Sequence, residues 1–392
     1  MKSANWTVLP LCYFAGLVDG YDIIMNGLAA PQLAVDFGIS PDQMGRLFAL
    51  SSLGLLLGSL GGGWCADRFG PKRTLIGSLL LFGSLSYFSS RADSVPALMI
   101  TRMLTGVGIG ALFPALLAIV VAVSPPASAA RRATAMVSAV TMGSAFAAFT
   151  VILQPEIGWR TLFLAGGLAP LALVPLIAFL MPHIPFGKSD ERPSLVSLLR
   201  HGRAANTLIL WLALFCMIMV GYILINWLPT LLADMTYAKQ DIGVIILWFT
   251  FASSFGVLFF AYVMREGRMK RVMAFGYAGA ALGIVLVASI KGHVVAIAAA
   301  AAMLSFCQTG VQCFLYGLSP TLYPAGLRGT GSGAAVGAGR VGAIVGPLAA
   351  GQLLALGLSP AGLLFATLPI GGVSLLATLA LLRRRARLVD LS

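Results

Sequence analysis

Long apolar stretches follow one another along almost the whole chain, with only short polar segments between them. Apolar residues make up 59% of the sequence and charged residues 10%, whereas a soluble domain carries about 25% charged residues. Only helices and closed barrels satisfy all their backbone polar groups in hydrocarbon. Barrel strands would alternate polar and apolar residues in segments of about ten, and these stretches do not. The sequence therefore predicts an all-α protein that crosses the membrane many times.

The stretches are explained by twelve helical spans, each close to the roughly 20 residues that a helix needs to cross a bilayer. The longest polar interruption, 182–205, is rich in proline and charge and divides the spans into two sets of six. We predict an N-terminal six-helix bundle at 1–181, a cytoplasmic linker at 182–205 and a C-terminal six-helix bundle at 206–392. Two such pseudo-symmetric halves favour a substrate site between them. The predicted spans are 7–30, 43–65, 74–91, 95–121, 133–154, 160–181, 206–232, 242–263, 272–290, 294–317, 331–356 and 361–382.

The formal net charge of +13 is explained by where the basic residues fall. With both termini in the cytoplasm, most of the 26 lysine and arginine residues lie in cytoplasmic segments, as the positive-inside rule requires. The charge therefore indicates topology and not a nucleic-acid partner. We predict a multi-pass protein of the inner (plasma) membrane that functions as a monomer and whose partners are lipid, a small substrate and protons.

Four ionisable side chains lie deep within the apolar stretches, namely Asp19, Asp22, Arg102 and Arg340. A charge inside a membrane is costly unless it faces protein or water, so each marks a candidate functional site. An aspartate whose arginine partner changes with conformation can bind and release a proton, so Asp19 and Asp22 are the predicted proton-coupling residues. Arginine can hold a carboxylate through two parallel hydrogen bonds. Arg340 is the predicted substrate anchor, and Arg102 is either a second anchor or the partner of an aspartate; a permanent Asp22–Arg102 pair that only fixes helix packing stays open.

Further polar side chains recur at helical spacing on three of the spans and predict the rest of the substrate site. Amide groups facing lipid would be costly, which favours a protein-lined or water-lined position for them. No group of residues has metal-ligand spacing, and neither a nucleophile elbow nor a phosphate loop is present. We therefore predict no enzyme activity, no metal and no cofactor, with the proton gradient as the energy source. The predicted substrate-binding residues besides the two arginines are Asn26, Tyr222, Asn226, Gln308, Gln312 and Tyr316.

The segment after the second span reads Gly63-Trp-Cys-Ala-Asp67-Arg68-Phe-Gly70-Pro71-Lys72-Arg73. It resembles the signature loop of the major facilitator superfamily, G-xxx-D-R-x-G-R-R, although Pro71 stands where the family has a basic residue. The equivalent segment of the second half, 264–268, lacks the Asp-Arg pair. The resemblance implies the fold of that superfamily and a role in conformational gating for Gly63, Asp67, Arg68, Gly70 and Arg73.

A narrower resemblance covers most of the chain. Asp19-Gly20-Tyr21-Asp22 is similar to the D-G-[FY]-D signature of the aromatic acid:proton symporters, and the segments around Arg102 and Arg340 resemble their spans four and eleven. The segment 224–229 resembles in particular the members that carry hydroxyphenylpropionates. These resemblances imply proton-coupled uptake of a small aromatic carboxylate, such as a hydroxybenzoate or hydroxyphenylpropionate, by alternating access.

Two other transport functions stay open. One is export of drugs or metabolites within the same superfamily, and the other is symport of a non-aromatic organic anion. Exporters of that kind usually carry a glycine-rich run ending in Gly-Pro in span five, whereas the run here, Met142-Gly-Ser-Ala-Phe146, has no Gly-Pro. This difference favours uptake over export. Asp19 and Asp22 remain alternatives as the residue that carries the proton.

Overall fold

The computed structural model describes residues 5–182, 195–200, 202–263, 269–324 and 327–389. Within these ranges the chain forms twelve long α-helices and two short 3-10 helices (Leu195–Leu198 and Ser319–Leu322), and no strand. The prediction of an all-α protein is confirmed. The helices are α1 (Asn5–Phe37), α2 (Pro41–Phe69), α3 (Pro71–Ser90), α4 (Val95–Ala122), α5 (Pro126–Leu153), α6 (Trp159–Leu180), α7 (Ala204–Asp234), α8 (Lys239–Val263), α9 (Met269–Ser289), α10 (Val294–Leu318), α11 (Arg328–Ala355) and α12 (Pro360–Val389).

Each of the twelve predicted spans falls on one of these helices. Eleven helices of the described part are long and apolar enough to cross a membrane, and α3 is the exception. Its sequence contains several serines, which lower its mean hydropathy, and its first turn contains Lys72 and Arg73. Most of its serine hydroxyls are buried or bonded to the helix's own carbonyls, as Ser89 and Ser90 are. A polar helix packed against protein satisfies its hydroxyl groups in this way.

The turn between α2 and α3 depends on Gly70. Its φ of 90° lies in the left-handed region, where a side chain would be strained. The Gly70 N–H donates to the Ala66 carbonyl at 3.1 Å, and its carbonyl accepts from the Thr74 N–H at 3.1 Å. One residue therefore ends α2 and begins α3, with Pro71 at the first position of the new helix. This turn carries the segment that is predicted to act in gating.

The chain divides into two compact units. Unit 1 comprises Met1–Ser189 and Asn226–Leu247, and unit 2 comprises Asp190–Ile225 and Trp248–Ser392. The boundary cuts α7 after Ile225 and α8 after Leu247. The division into two six-helix bundles stays a prediction. Much of the predicted linker (183–194 and 201) and the segment 264–268 lie outside the described residues.

In unit 1, α2 and α4 approach until their backbones touch. A Cβ atom on Gly54 would lie 1.9 Å from the Met103 carbonyl oxygen, and one on Gly58 would lie 2.0 Å from the Val107 carbonyl oxygen. No real Cβ tolerates such a distance to backbone. Small residues spaced four apart allow this close approach between helices in membranes, and it fixes the position of Arg102 on α4.

Replacing Gly58 by alanine should therefore destabilise unit 1. We expect a loss of about 1–3 kcal/mol, because the new methyl group must push the α4 backbone away. The matched control is Gly61→Ala on the same helix, where a Cβ atom would meet nothing within 4 Å. Thermal unfolding in detergent, followed by tryptophan fluorescence, measures both variants. Equal midpoints for the two would contradict the α2–α4 contact.

Candidate functional site

Asp22 of α1 and Arg102 of α4 form a buried ion pair in unit 1. Arg102 Nη1 donates to Asp22 Oδ1 at 3.0 Å, and Nη2 donates to Oδ2 at 2.5 Å. Each side chain is only 1% exposed. Two parallel charge-assisted hydrogen bonds are the strongest arrangement that these groups can make. Of the two roles predicted for Arg102, the structure has it as the partner of an aspartate.

Two further residues complete the surroundings of this pair. Ser86 of α3 donates to Asp22 Oδ1 at 3.4 Å and to the Phe163 carbonyl at 3.2 Å. The Arg102 guanidinium carbon lies 4.9 Å from the centre of the Phe163 ring, at cation–π distance. Sequence reasoning missed both Ser86 and Phe163. Nothing in the sequence distinguishes Ser86 from the other serines of α3. A phenylalanine in an apolar span is predicted to have only a packing role.

The D-G-Y-D segment of α1 packs on α5. A Cβ atom on Gly20 would lie 1.6 Å from the Val140 carbonyl oxygen, so this position admits only glycine. Ser144 Oγ donates to the Gly20 carbonyl at 2.7 Å. Asp19, one position earlier, is 2% exposed and thus as buried as Asp22. The backbone of this segment is held by α5, while its second carboxylate faces α4.

Asn26 lies one helical turn beyond Asp22 on α1 and is also buried. Its Oδ1 has no hydrogen-bond partner among the residues that the structure describes. A buried amide oxygen without a partner is costly, and such an atom is suited to accept a hydrogen bond from a ligand or a water. The structure thus places the buried Asp19, Asp22 and Asn26 on α1 and Arg102 on α4, all within unit 1.

A second cluster lies in unit 2 around Arg340 of α11. Arg340 Nη1 donates to the Tyr222 hydroxyl of α7 at 2.8 Å. On α10, Gln312 Nε2 donates to the Tyr316 hydroxyl at 3.4 Å, and that hydroxyl is close enough to Arg340 to interact electrostatically. All four side chains are partly exposed, unlike Arg102. Three helices therefore bring a guanidinium, two phenols and an amide to one place.

Glycines beside Arg340 explain how α11 reaches α7. A Cβ atom on Gly339 would lie 2.1 Å from Ile218 Cδ1, and one on Gly342 would lie 2.3 Å from the Phe215 carbonyl oxygen. This close approach brings Arg340 within reach of the Tyr222 hydroxyl. Directly after the 3-10 helix Ser319–Leu322, Tyr323 donates to Thr207 Oγ1 at 3.2 Å, and burial raises the pKa of its hydroxyl.

The two remaining predicted substrate residues, Gln308 and Asn226, are both buried. Gln308 is 4% exposed, and its Nε2 is 3.5 Å from the Met217 carbonyl that it donates to. It borders a separate apolar cavity of about 450 Å³ formed by α7, α9, α10 and α12, together with Tyr277. Asn226 is buried on the part of α7 that belongs to unit 1.

The predicted gating residues lie at the end of α2 and the start of α3. Arg68 is placed over the Trp64 ring, 5.2 Å from its centre. Asp67 is exposed, and Gly63 has open space where a side chain would be. Arg73 borders a groove between the two helices. The structure therefore gathers these residues at one end of unit 1.

Lysine and glutamine side chains make a second contact in unit 1 that the sequence did not predict. Lys239 Nζ and Gln32 Nε2 both donate to the Ile157 carbonyl, at 2.5 Å and 3.2 Å. This carbonyl lies in the turn between α5 and α6, so the contact joins that turn to α1 and to the first residue of α8. Sequence patterns identify side-chain donors but not the backbone carbonyl that receives them.

The described residues contain no group of three or more histidine, cysteine, aspartate or glutamate side chains that could hold a metal ion. The two charged clusters have different chemistry. In unit 1 the guanidinium of Arg102 pairs with a carboxylate, and in unit 2 the guanidinium of Arg340 donates to a phenol hydroxyl.

The sequence profile of the Major Facilitator Superfamily matches residues 12–347, with a further match over 210–390. The chain belongs to the major facilitator superfamily. This membership confirms the resemblance seen in the loop after α2, and it makes the protein a multi-pass membrane transporter and not an enzyme.

Relatives of this superfamily member include transporters that are named for the substrates they carry. It is 36% identical over 385 residues to the 3-(3-hydroxy-phenyl)propionate transporter of Escherichia coli (strain K12), covering 97% of this chain and 94% of the relative. It is 32% identical to the gallate transporter of Pseudomonas putida, with 90% and 86% covered. The 4-hydroxybenzoate transporter PcaK of Pseudomonas aeruginosa is 28% identical, with 90% and 87% covered.

Solved structures of low sequence identity share the fold. The crystal structure of a D-xylose-proton symporter superposes with a TM-score of 0.78 at 16% identity, covering 96% of this chain and 97% of that one. A bacterial homolog of the human lysosomal transporter Spinster gives a TM-score of 0.76 at 15% identity, with 99% and 98% covered. At these identities the likeness establishes the superfamily fold and nothing about substrate.

Proposed function

We propose that this superfamily member takes up a small aromatic carboxylate together with protons, by alternating access. The observation that carries the substrate class is the cluster around Arg340. Its guanidinium, held by the Tyr222 hydroxyl and close to Tyr316, offers a charge-assisted grip for a carboxylate beside two aromatic rings. The relatives named above are carriers of hydroxylated aromatic acids, which supports the same class.

Aromatic acids fit this cluster for a physical reason. Small-molecule sites combine apolar walls with a few polar groups that fix orientation. Arg340 supplies the charge, while the phenol of Tyr316 and the amide of Gln312 supply donors and acceptors for a ring hydroxyl. The guanidinium of Arg340 can form charge-assisted hydrogen bonds with the carboxylate of an acid, whereas a sugar has no anionic group, so the cluster favours an acid over a sugar.

Proton coupling is proposed for the unit 1 cluster. Asp22 has its negative charge balanced by Arg102, and the two aspartates are one helical turn apart. If Asp22 takes up a proton, its attraction to Arg102 falls, and the arginine must find another partner, for which Asp19 is the nearest acid on α1. Exchange of this kind ties protonation to conformation. Asp19 and Asp22 are therefore the proposed proton-coupling residues.

We also propose the inner membrane as the location, with both termini in the cytoplasm and the monomer as the functional unit. The excess of basic residues on one side of the spans supports this topology. The turn between α2 and α3 then faces the cytoplasm.

Uptake into proteoliposomes tests the proposed function. We expect radiolabelled 3-(3-hydroxyphenyl)propionate or 4-hydroxybenzoate to accumulate against its gradient when the outside is acidic, and an uncoupler to abolish this accumulation. Xylose and the amide of the same aromatic acid serve as controls and should not accumulate. Accumulation of the amide, or uptake that an uncoupler leaves unchanged, would contradict the proposal, and net export in the same gradient would support the exporter alternative.

A further inference from the structure

A groove of about 440 Å³ runs along the side of unit 1 between α2 and α3, with α4 as its floor. It exists because two lining positions lack side chains. A Cβ atom on Gly61 of α2 or on Gly77 of α3 would meet nothing within 4 Å. Leu57, Phe69 and Leu81 form its rim, and all three are exposed. The groove is therefore an open apolar channel beside α2 and α4, two of the helices that are long and apolar enough to cross a membrane.

One end of this groove carries a positive charge. Arg73, in the first turn of α3, is the charged residue among those that line it. Leu81 lies eight positions further along the same helix, which corresponds to about 12 Å of groove beyond the arginine. The groove thus has a cation at the end nearest the α2–α3 turn and apolar walls along the rest of its length.

Arg73 differs in its contacts from Lys72 and Arg68, the other cations of this turn. Lys72 Nζ donates to the Ala178 carbonyl at 2.9 Å and to the Met181 carbonyl, and Arg68 lies over the Trp64 ring. Arg73 is exposed and has neither a hydrogen bond nor an ion pair with any residue that the structure describes. Its guanidinium keeps all of its donors for a ligand.

The start of α3 adds to the same electrostatic field. Gly70 precedes the helix and has no side chain to cap the first turn. Amide groups at the start of a helix point outward and carry partial positive charge, which favours an anion there. Arg73 and the start of α3 therefore both favour an anion at this end of the groove. The remaining apolar walls favour a ligand whose other end is an apolar chain.

We propose that this groove binds one anionic glycerophospholipid, with an acyl chain along α2 and α3 and the phosphate on Arg73. Lipid is the ligand with that combination of parts, and basic pockets between membrane helices recognise anionic headgroups. A free phosphate would leave the apolar channel unfilled. The inference goes beyond the proposed transport function and does not depend on the substrate.

Native mass spectrometry of the purified full-length protein tests the lipid site. The probes are phosphatidylglycerol and phosphatidylcholine with identical acyl chains, added at equal concentrations. We expect wild type to retain phosphatidylglycerol preferentially, and Arg73→Gln to reduce that preference about fivefold, because one cation near the headgroup is removed. The matched control is Arg91→Gln, an exposed arginine at the other end of α3, which should leave the preference unchanged.

A second variant tests the channel independently of charge. Gly77→Leu fills the groove, and we expect it to lower the retention of both lipids while transport of the aromatic acid in liposomes continues. Gly61→Leu repeats the test from α2, so that a folding defect in one variant does not decide the result. An unchanged lipid preference in Arg73→Gln, or wild-type lipid retention in both filled variants, would overturn the proposal. Because binding is read without substrate, its failure is distinct from failure of the transport function.

Discussion

Asp22→Asn should abolish the accumulation of substrate driven by a pH gradient and should also lower the stability of the protein. The asparagine cannot carry a proton in exchange, and it leaves Arg102 as an uncompensated charge that is 1% exposed. Breaking a buried pair by removing one partner typically costs about 3–5 kcal/mol. Proteoliposome uptake measures the first effect, and thermal unfolding in detergent measures the second. Asp42→Asn, which removes an exposed i,i+4 pair with Arg46, is the matched control and should alter neither.

The double variant Asp22→Asn/Arg102→Gln separates proton coupling from a purely structural pair. It removes both charges, so we expect it to recover most of the stability that Asp22→Asn loses. Under the proposed mechanism it still fails to accumulate substrate, although it exchanges labelled for unlabelled substrate across the membrane. Normal accumulation by a stable double variant would show that the pair only fixes helix packing.

Arg340→Lys should weaken the apparent affinity for an aromatic carboxylate by roughly tenfold to a hundredfold. Lysine keeps the charge but loses the planar fork that binds two oxygens at once. Hydrogen bonds to charged groups contribute about 1.5–3 kcal/mol, and each 1.4 kcal/mol is about a tenfold change. The concentration dependence of initial uptake rates gives the measurement.

Two matched variants show whether the loss of affinity in Arg340→Lys is specific to the guanidinium of Arg340. Arg328→Lys, at the exposed start of the same helix, should leave uptake unchanged. Tyr222→Phe keeps the guanidinium and removes the hydroxyl that holds it at 2.8 Å, so we expect a smaller loss of affinity. If Arg340→Lys bound the acid as tightly as wild type, the arginine would not be the carboxylate anchor.

The fold could be predicted from the sequence because apolar length alone determines where helices cross a membrane. The Asp22–Arg102 pair was one of two roles foreseen for Arg102, since depth within the spans limits which charges can meet. Its neighbours Ser86 and Phe163 could not be foreseen. Which serine of α3 faces the aspartate depends on how α3 packs against α4 and α6, and spacing along one helix does not contain that information.

The glutamines of α10 show a second limit of prediction from sequence, which concerns helical spacing. Gln308, Gln312 and Tyr316 are spaced four apart and were predicted to form one stripe. Each step of four residues turns the helix by about 40°, so the first and last members point about 80° apart. Gln312 and Tyr316 accordingly meet near Arg340, while Gln308 borders another cavity. Residues that are four positions apart on a helix therefore share a face reliably, whereas residues that are eight positions apart often do not.

Close backbone contacts at glycines join four helices of unit 1 into two couples, that is, two tightly packed helix pairs. Gly54 and Gly58 lock α2 against α4, while Gly20 and Gly143 lock α1 against α5, where a Cβ atom on Gly143 would lie 1.9 Å from the Leu17 carbonyl oxygen. Asp22 belongs to one couple and Arg102 to the other. Neither couple can slide internally without a steric clash. Under the proposed proton coupling, protonation of Asp22 would therefore remove a contact between these two helix pairs, and one pair would then move relative to the other.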